Sequence, residues 1–238
     1  MLLWIIATFV AFFVKGLCGF ANTLVFTSIL GFGVNNLNIS PTELLLGYPA
    51  NFILTLQNRK KLNLSIVIPL SLLVLAGSIV GAFLLKSVNA KYLKIFFGAV
   101  VIFVAIETYL RERAKKKAEL SKILLVIVGL FSGLLCGLFG VGALLAAYAG
   151  RASKSSDEFK ANISAVFIVE NTFRIIVYLF FGVITLSSAK LALMLLPFAL
   201  AGLFAGIKCS RAINEKSAKN IVIAFLIISG LSLIARNL

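Results

Sequence analysis

The chain repeats itself. Lys15-Gly16-Leu17-Cys18-Gly19-Phe20, a glycine-punctured apolar stretch, recurs 121 residues later as Cys136-Gly137-Leu138-Phe139-Gly140-Val141. Asn51 is matched by Asn171, 120 residues on. Gly77-x-x-x-Gly81 and Val88-Asn89-Ala90-Lys91 are matched by Gly202-x-x-x-Gly206 and Ile213-Asn214-Glu215-Lys216, both at an offset of 125. A doubled hydrophobic chain, with interrupted helices at equivalent places, is the pattern of transport proteins whose binding site lies between two halves. The expected architecture is all-α and polytopic, with two homologous halves of about four helical segments each. The halves are residues 1–112 and 121–238, joined by the basic loop 111–122 in a single integral membrane domain over 1–238.

Lipid is the only solvent that suits this composition. Hydrophobic residues make up 61% of the 238 and charged ones 13%, with a mean hydropathy of +1.09. A water-soluble domain of this size cannot hide so much apolar surface. The first apolar run has no basic stretch before it and belongs to the repeat, so it reads as part of the fold and not as a signal peptide. The net charge of +15 comes from short clusters between apolar runs: Arg59-Lys60-Lys61, Arg111 to Lys117, and Lys208 to Lys219. Such clusters mark cytoplasmic loops and touch anionic headgroups. They lack the aromatic-basic interleaving of a nucleic-acid surface. Cys18, Cys136 and Cys209 lie in or beside apolar segments, which argues against a secreted disulfide framework. The chain has no histidine and only eight acidic residues. Metal-dependent and acid–base catalysis therefore have little to work with, and neither a cofactor nor an enzymatic activity is expected.

A helix crossing the ~30 Å hydrocarbon core needs about 20 residues. Six segments qualify: roughly 42–58, 64–85, 92–110, 159–181, 189–207 and 218–235. Regions 2–34 and 122–150 are different. As a straight helix the first would be about 50 Å long, and each is broken near its middle by glycines. If both cross, there are eight spans and the halves are parallel. If both fold back as re-entrant hairpins, there are six full spans and the halves are inverted. Setting aside Lys15 and Arg174, which lie inside apolar segments, 21 cations can be placed. Eight spans divide them 11 against 10, and two hairpins divide them 5 against 16. The positive-inside rule favours the hairpins, with both chain ends outside.

Non-helical backbone at membrane depth is tolerated where it is buried in protein or lines a polar cavity. Two glycine tips entering from opposite faces would meet near the midplane and offer amide donors to an anion. Gly16 and Gly19 with Gly137, Gly140 and Gly142 are the candidate tips. Gly77/Gly81 and Gly202/Gly206, four apart within full spans, read as packing positions.

The quoted motifs resemble a known family. Lys15-Gly-Leu-Cys-Gly-Phe-Ala-Asn-Thr-Leu-Val-Phe resembles the opening glycine motif of the TauE/SafE, or sulfite exporter, family of membrane transporters. Gly137-Leu-Phe-Gly-Val-Gly-Ala-Leu-Leu resembles its repeated glycine motif. Phe159-Lys-Ala-Asn-Ile-Ser-Ala-Val-Phe, with Glu170-Asn171 and Arg174, resembles its next span. The likeness covers nearly the whole chain. The first motif departs from it, reading Gly-Phe-Ala-Asn where many relatives carry a run of glycines. Pro49-Ala50-Asn51 also stands where many relatives have Ala…Thr-Ser. The resemblance implies transport of sulfite, sulfonates or other small organic anions.

Individual residues then take candidate roles. Arg174 lies inside an apolar span, four residues after Glu170, a spacing that suits either a neutralised structural pair or an anion-binding fork with its counter-charge or proton carrier. Lys15 sits at the first glycine break, where it either snorkels or adds positive potential at depth. Asn22, Asn51, Asn162 and Asn171 are amides in apolar surroundings. Interhelical hydrogen bonding is one reading of all four; symmetry raises Asn51 and Asn171 as paired lining residues, and Asn162 lies nearer the entrance of its span. Glu43 and Glu107 fall near span ends and read as interfacial.

The candidate substrate-binding set is therefore Lys15, Gly16, Gly19, Asn22, Asn51, Gly137, Gly140, Gly142, Glu170, Asn171 and Arg174. The expected function is a secondary transporter, exporter or permease, of small anions in the cell membrane, working by alternating access. A small anionic substrate and membrane lipid are its expected partners. A coupling proton or cation and a homo-oligomer are compatible with it. No nucleotide-binding Gly-x-x-x-x-Gly-Lys-Ser/Thr run is present to power it. A passive anion channel and a membrane assembly protein are the alternatives.

Overall fold

The computed structural model describes residues 1–31, 39–84 and 143–212, together with parts of 98–110, 130–134 and 223–235. Among the described residues there are helices and no strand. The principal ones are α1 (Leu2–Cys18), α2 (Asn22–Gly31), α3 (Ile39–Gln57), α4 (Leu64–Leu84), α5 (Ala143–Ala152), α6 (Ser156–Phe180) and α7 (Leu186–Ala212). A short 3₁₀ turn, Arg59–Lys61, joins α3 to α4. The connecting loop 111–122 lies outside the described residues.

The long first apolar run is not one helix. Gly19 closes α1 with φ +86°, and Ala21 follows with φ +72°. Two left-handed residues in three reverse the chain, and α2 returns along α1. The rings of Trp4 and Phe26 meet edge-to-face at 5.8 Å. In a straight helix those positions would stand about 33 Å apart.

Local signals elsewhere set the helix limits. Ser155 caps α6 by accepting from the Glu158 N–H at 3.2 Å, and Asp157 and Glu158 occupy the positive first turn. Glu158 also accepts from the Lys154 N–H at 2.8 Å, tying down the approach to the helix. Gly182, with φ +67°, closes α6, and the Val183 N–H returns to the Tyr178 carbonyl. Thr185 and Ser188 exchange side-chain and backbone hydrogen bonds at the start of α7.

Among the described residues, two helices, Ser156–Phe180 and Leu186–Ser210, are long and apolar enough to cross a membrane. Their outward faces carry Ile176, Leu193 and Met194, each at least 60% exposed. Leu72 on α4 and Leu56 on α3 are equally bare. Large apolar side chains exposed in mid-helix suit a hydrocarbon surrounding, where water would disfavour them.

Helices α3 and α6 run antiparallel. Ser40 and Tyr178 share a hydrogen bond of 3.1 Å near one end, and Tyr48 donates to Thr172 at 3.1 Å further along. At the other end Lys61 meets Asp157 at 2.8 Å, and the Asn63 N–H donates to Asn162 at 2.8 Å. Asn162 thus fastens the α3–α4 turn.

Glycines let two further pairs touch backbone to backbone. A Cβ on Gly202 would strike the Phe9 carbonyl and come within 3.2 Å of the Phe13 nitrogen. A Cβ on Gly77 would strike the Leu130 carbonyl and come within 2.7 Å of the Leu134 nitrogen. So α1 lies on α7, and the segment around residues 130–134 lies on α4. Gly98 and Gly230 bring a third pair together in the same way. Among the described residues the apolar core falls into two clusters, one from α1, α2, α3 and α7 and one centred on α4, α5 and α6.

Candidate substrate site

Helices α1, α2, α3 and α6 enclose a group of charged and amide side chains. Lys15 is 1% exposed, although it lies four residues before the α1–α2 turn. Its ammonium donates to Asn22 Oδ1 at 2.9 Å and stands 5.5 Å from the Phe167 ring centre. The Asn22 amide in turn donates to Glu43 Oε1, which also accepts from the Thr23 hydroxyl at 2.9 Å. On α6, Arg174 Nε lies 3.5 Å from Glu170 Oε1, and Nη2 donates to Asn171 Oδ1 at 3.3 Å. The guanidinium sits 5.9 Å from the Tyr178 ring centre. Glu43 is within Coulombic range of both Lys15 and Arg174, and Glu170 is within range of Glu43. The two sets therefore form one cluster.

Gly47 is where the sets converge. A Cβ there would lie 3.4 Å from both Asn22 Nδ2 and Glu43 Oε1, and 3.8 Å from Asn171 Nδ2. The absent side chain leaves these polar atoms facing a common point. Gly47 is near the middle of α3, and Asn171 lies about 21 Å along α6 from Asp157 at 1.5 Å per residue. Gly47 and Asn171 are therefore well removed from the basic end.

Lys15, Asn22, Glu170, Asn171 and Arg174 all join this group. Asn51 lies four residues beyond Gly47 on the same face of α3, 1% exposed. Its Oδ1 accepts no hydrogen bond among the described residues. A buried carbonyl oxygen without a donor is costly, and it marks the α3 face as a polar lining.

The glycine tip behaves differently from the expectation of free amides at the midplane. The Gly19 N–H donates to the Lys15 carbonyl at 2.6 Å and serves as the α1 cap. Gly19 packs on Lys160, one turn inside the N-terminal end of α6, so the tip lies near the basic end. Gly16 faces α7, where a Cβ would come within 2.8 Å of the Ile207 nitrogen, and its carbonyl accepts from Lys160 at 3.3 Å. Gly16 and Gly19 thus act in packing and capping. Gly137, Gly140 and Gly142, with Cys136, lie outside the described residues.

Glu43 escaped the sequence reading. It falls near the start of an apolar run, which suggests an interfacial carboxylate, yet it is 2% exposed and central to the cluster. Helix α3 begins at Ile39, which places Glu43 a full turn inside. The signal was available as Glu43, Gly47 and Asn51, each four residues apart and so on one helix face.

A buried, paired charge cluster among apolar helices is typical of substrate and ion pathways in membrane proteins. The fold and cluster together are those of a helical membrane transport protein. The family model described as "Sulfite exporter TauE/SafE" matches residues 4–233. The chain belongs to this TauE/SafE family of membrane transporters. No curated protein and no solved structure gives a significant match.

Proposed function

We propose that this protein is a multi-pass secondary transporter of the cell membrane. It moves a small anion, such as sulfite, a sulfonate or a related organosulfur oxyanion, by alternating access between two inverted halves. The single observation that carries the reading is the buried Lys15–Asn22–Glu43 and Glu170–Asn171–Arg174 cluster around Gly47. An ammonium, a guanidinium and two amides offer the donors that an oxyanion accepts, and the guanidinium adds a planar fork. Buried among the helices, these groups are reached from either side only if the surrounding helices shift.

The inverted arrangement is supported by equivalences between elements. The Gly202 contact with Phe9 and Phe13 corresponds to the Gly77 contact with Leu130 and Leu134, at the repeat offsets of 125 and 121. Helices α3 and α6 occupy equivalent places in the repeat and pack antiparallel, as a two-fold axis in the membrane plane requires.

The test is sulfite flux into proteoliposomes across a concentration series, with methanesulfonate and acetate as competitors. A carrier gives saturable flux that a sulfonate reduces more than acetate does. Flux that rises linearly with concentration points to a channel, and equal flux in empty vesicles excludes both.

A further inference from the structure

We propose that Glu43 takes up one proton when a monoanion occupies the space beside Gly47, so that anion and proton cross together without net charge. This deepens the anion-transport reading and rests on it. Four charged side chains face one another in the cluster: Lys15 from α1, Glu43 from α3, and Glu170 and Arg174 from α6. From α2 come only the neutral Asn22 and Thr23. Lys160, the next buried cation, is turned toward the Gly16 carbonyl at the α1–α2 turn. The four charges cancel.

A neutral buried cluster has no spare positive charge for a cargo. Adding a monoanion leaves one negative charge unbalanced at low dielectric, which is strongly disfavoured. Protonating one carboxylate restores neutrality. Glu43 is better placed for this than Glu170. Glu170 sits one turn from Arg174 on the same helix and remains its counter-charge wherever α6 moves. Glu43 has no cation on its own helix within a turn and is held by neutral donors from α2. Its hydrogen-bond partner Asn22 is also the acceptor for Lys15. A neutral Glu43 competes less well for the fields of Arg174 and Lys15 and for the Asn22 amide, and all three become available to an oxyanion beside Gly47. The proton comes from water on the side where the anion enters and leaves to water with the anion on the other side. No bond other than the carboxyl O–H forms or breaks.

The experiment is sulfite flux in mildly acidic buffer, where sulfite is the hydrogensulfite monoanion, in proteoliposomes clamped at potassium diffusion potentials of either sign, for the native chain and for Glu43→Gln. Electroneutral movement makes native accumulation indifferent to the clamp. In Glu43→Gln, which is neutral at every pH, one uncompensated charge makes accumulation change about tenfold for about 60 mV. Native flux that follows the clamp as strongly as this, or identical potential dependence in both proteins, overturns the proposal and leaves anion transport standing. Absence of sulfite flux in the folded native protein overturns the sulfite reading and this inference with it. Should Glu43→Gln fail to fold, the native clamp response decides alone.

Discussion

At the scale of single residues, the site is built from groups that an apolar environment ordinarily excludes. Lys15, Glu43, Glu170 and Arg174 are each at most 4% exposed. Each is tolerable only beside its partners. Asn51 is an instructive case, because its carboxamide oxygen meets no donor among the described residues. Asn51→Leu removes that unsatisfied oxygen at similar volume. We expect stability to be unchanged or raised by up to about 1 kcal/mol. Sulfite affinity should fall several-fold, read as thermal unfolding in detergent beside the concentration dependence of flux. A marked loss of stability with native flux would make Asn51 a structural amide. Lys15, Asn22, Asn171 and Arg174 were legible as buried polar groups because each interrupts an apolar run. Glu43 was not, since its nearness to a run end hid its burial among the helices.

Helices carry the next level of information. Three glycines of the two four-residue pairs, Gly77, Gly202 and Gly206, lie where backbone meets backbone, as their spacing within full spans implies. A Cβ on Gly206 would strike the Phe13 carbonyl and crowd Gly16 Cα and Leu17 N at 3.0 Å. None of these can yield without separating α1 from α7. Gly206→Ala should therefore destabilise the protein by about 1–3 kcal/mol or more. Gly150 is the contrast, since its nearest neighbour would be the Phe159 ring at 3.8 Å. Gly150→Ala should be neutral or stabilising by up to about 1 kcal/mol from helix propensity. Thermal unfolding of the two variants side by side checks the pair, and equal effects would contradict the packing. The break at Gly19 was legible from the excessive length of the apolar run. Its role was not, because a cap and a ligand-binding amide share the same left-handed glycine signature.

Across the whole molecule, the internal repeat and the cation distribution of the sequence underlie the proposed pair of membrane-embedded halves. The depth at which their polar groups meet depends on how α1, α2, α3 and α6 pack, and linear spacing does not encode that. The repeat matched Asn51 with Asn171 but placed neither opposite Gly47, and Gly47 lacks a glycine counterpart 120 residues on, where Phe167 stands. The site is therefore asymmetric where the sequence repeats. Phe167 contributes an aromatic face to Lys15, whereas Gly47 contributes room.

The most direct test of the account is sulfite flux through Gly47→Ala, normalised to folded protein. The added methyl makes contacts no shorter than 3.4 Å, so the protein should fold with at least native thermal stability. The methyl would nevertheless fill the point on which Asn22, Glu43 and Asn171 converge. The account predicts saturable flux in the native chain and at least a tenfold loss in Gly47→Ala. Native flux through a stable Gly47→Ala would contradict it, and would move the anion's path away from this cluster.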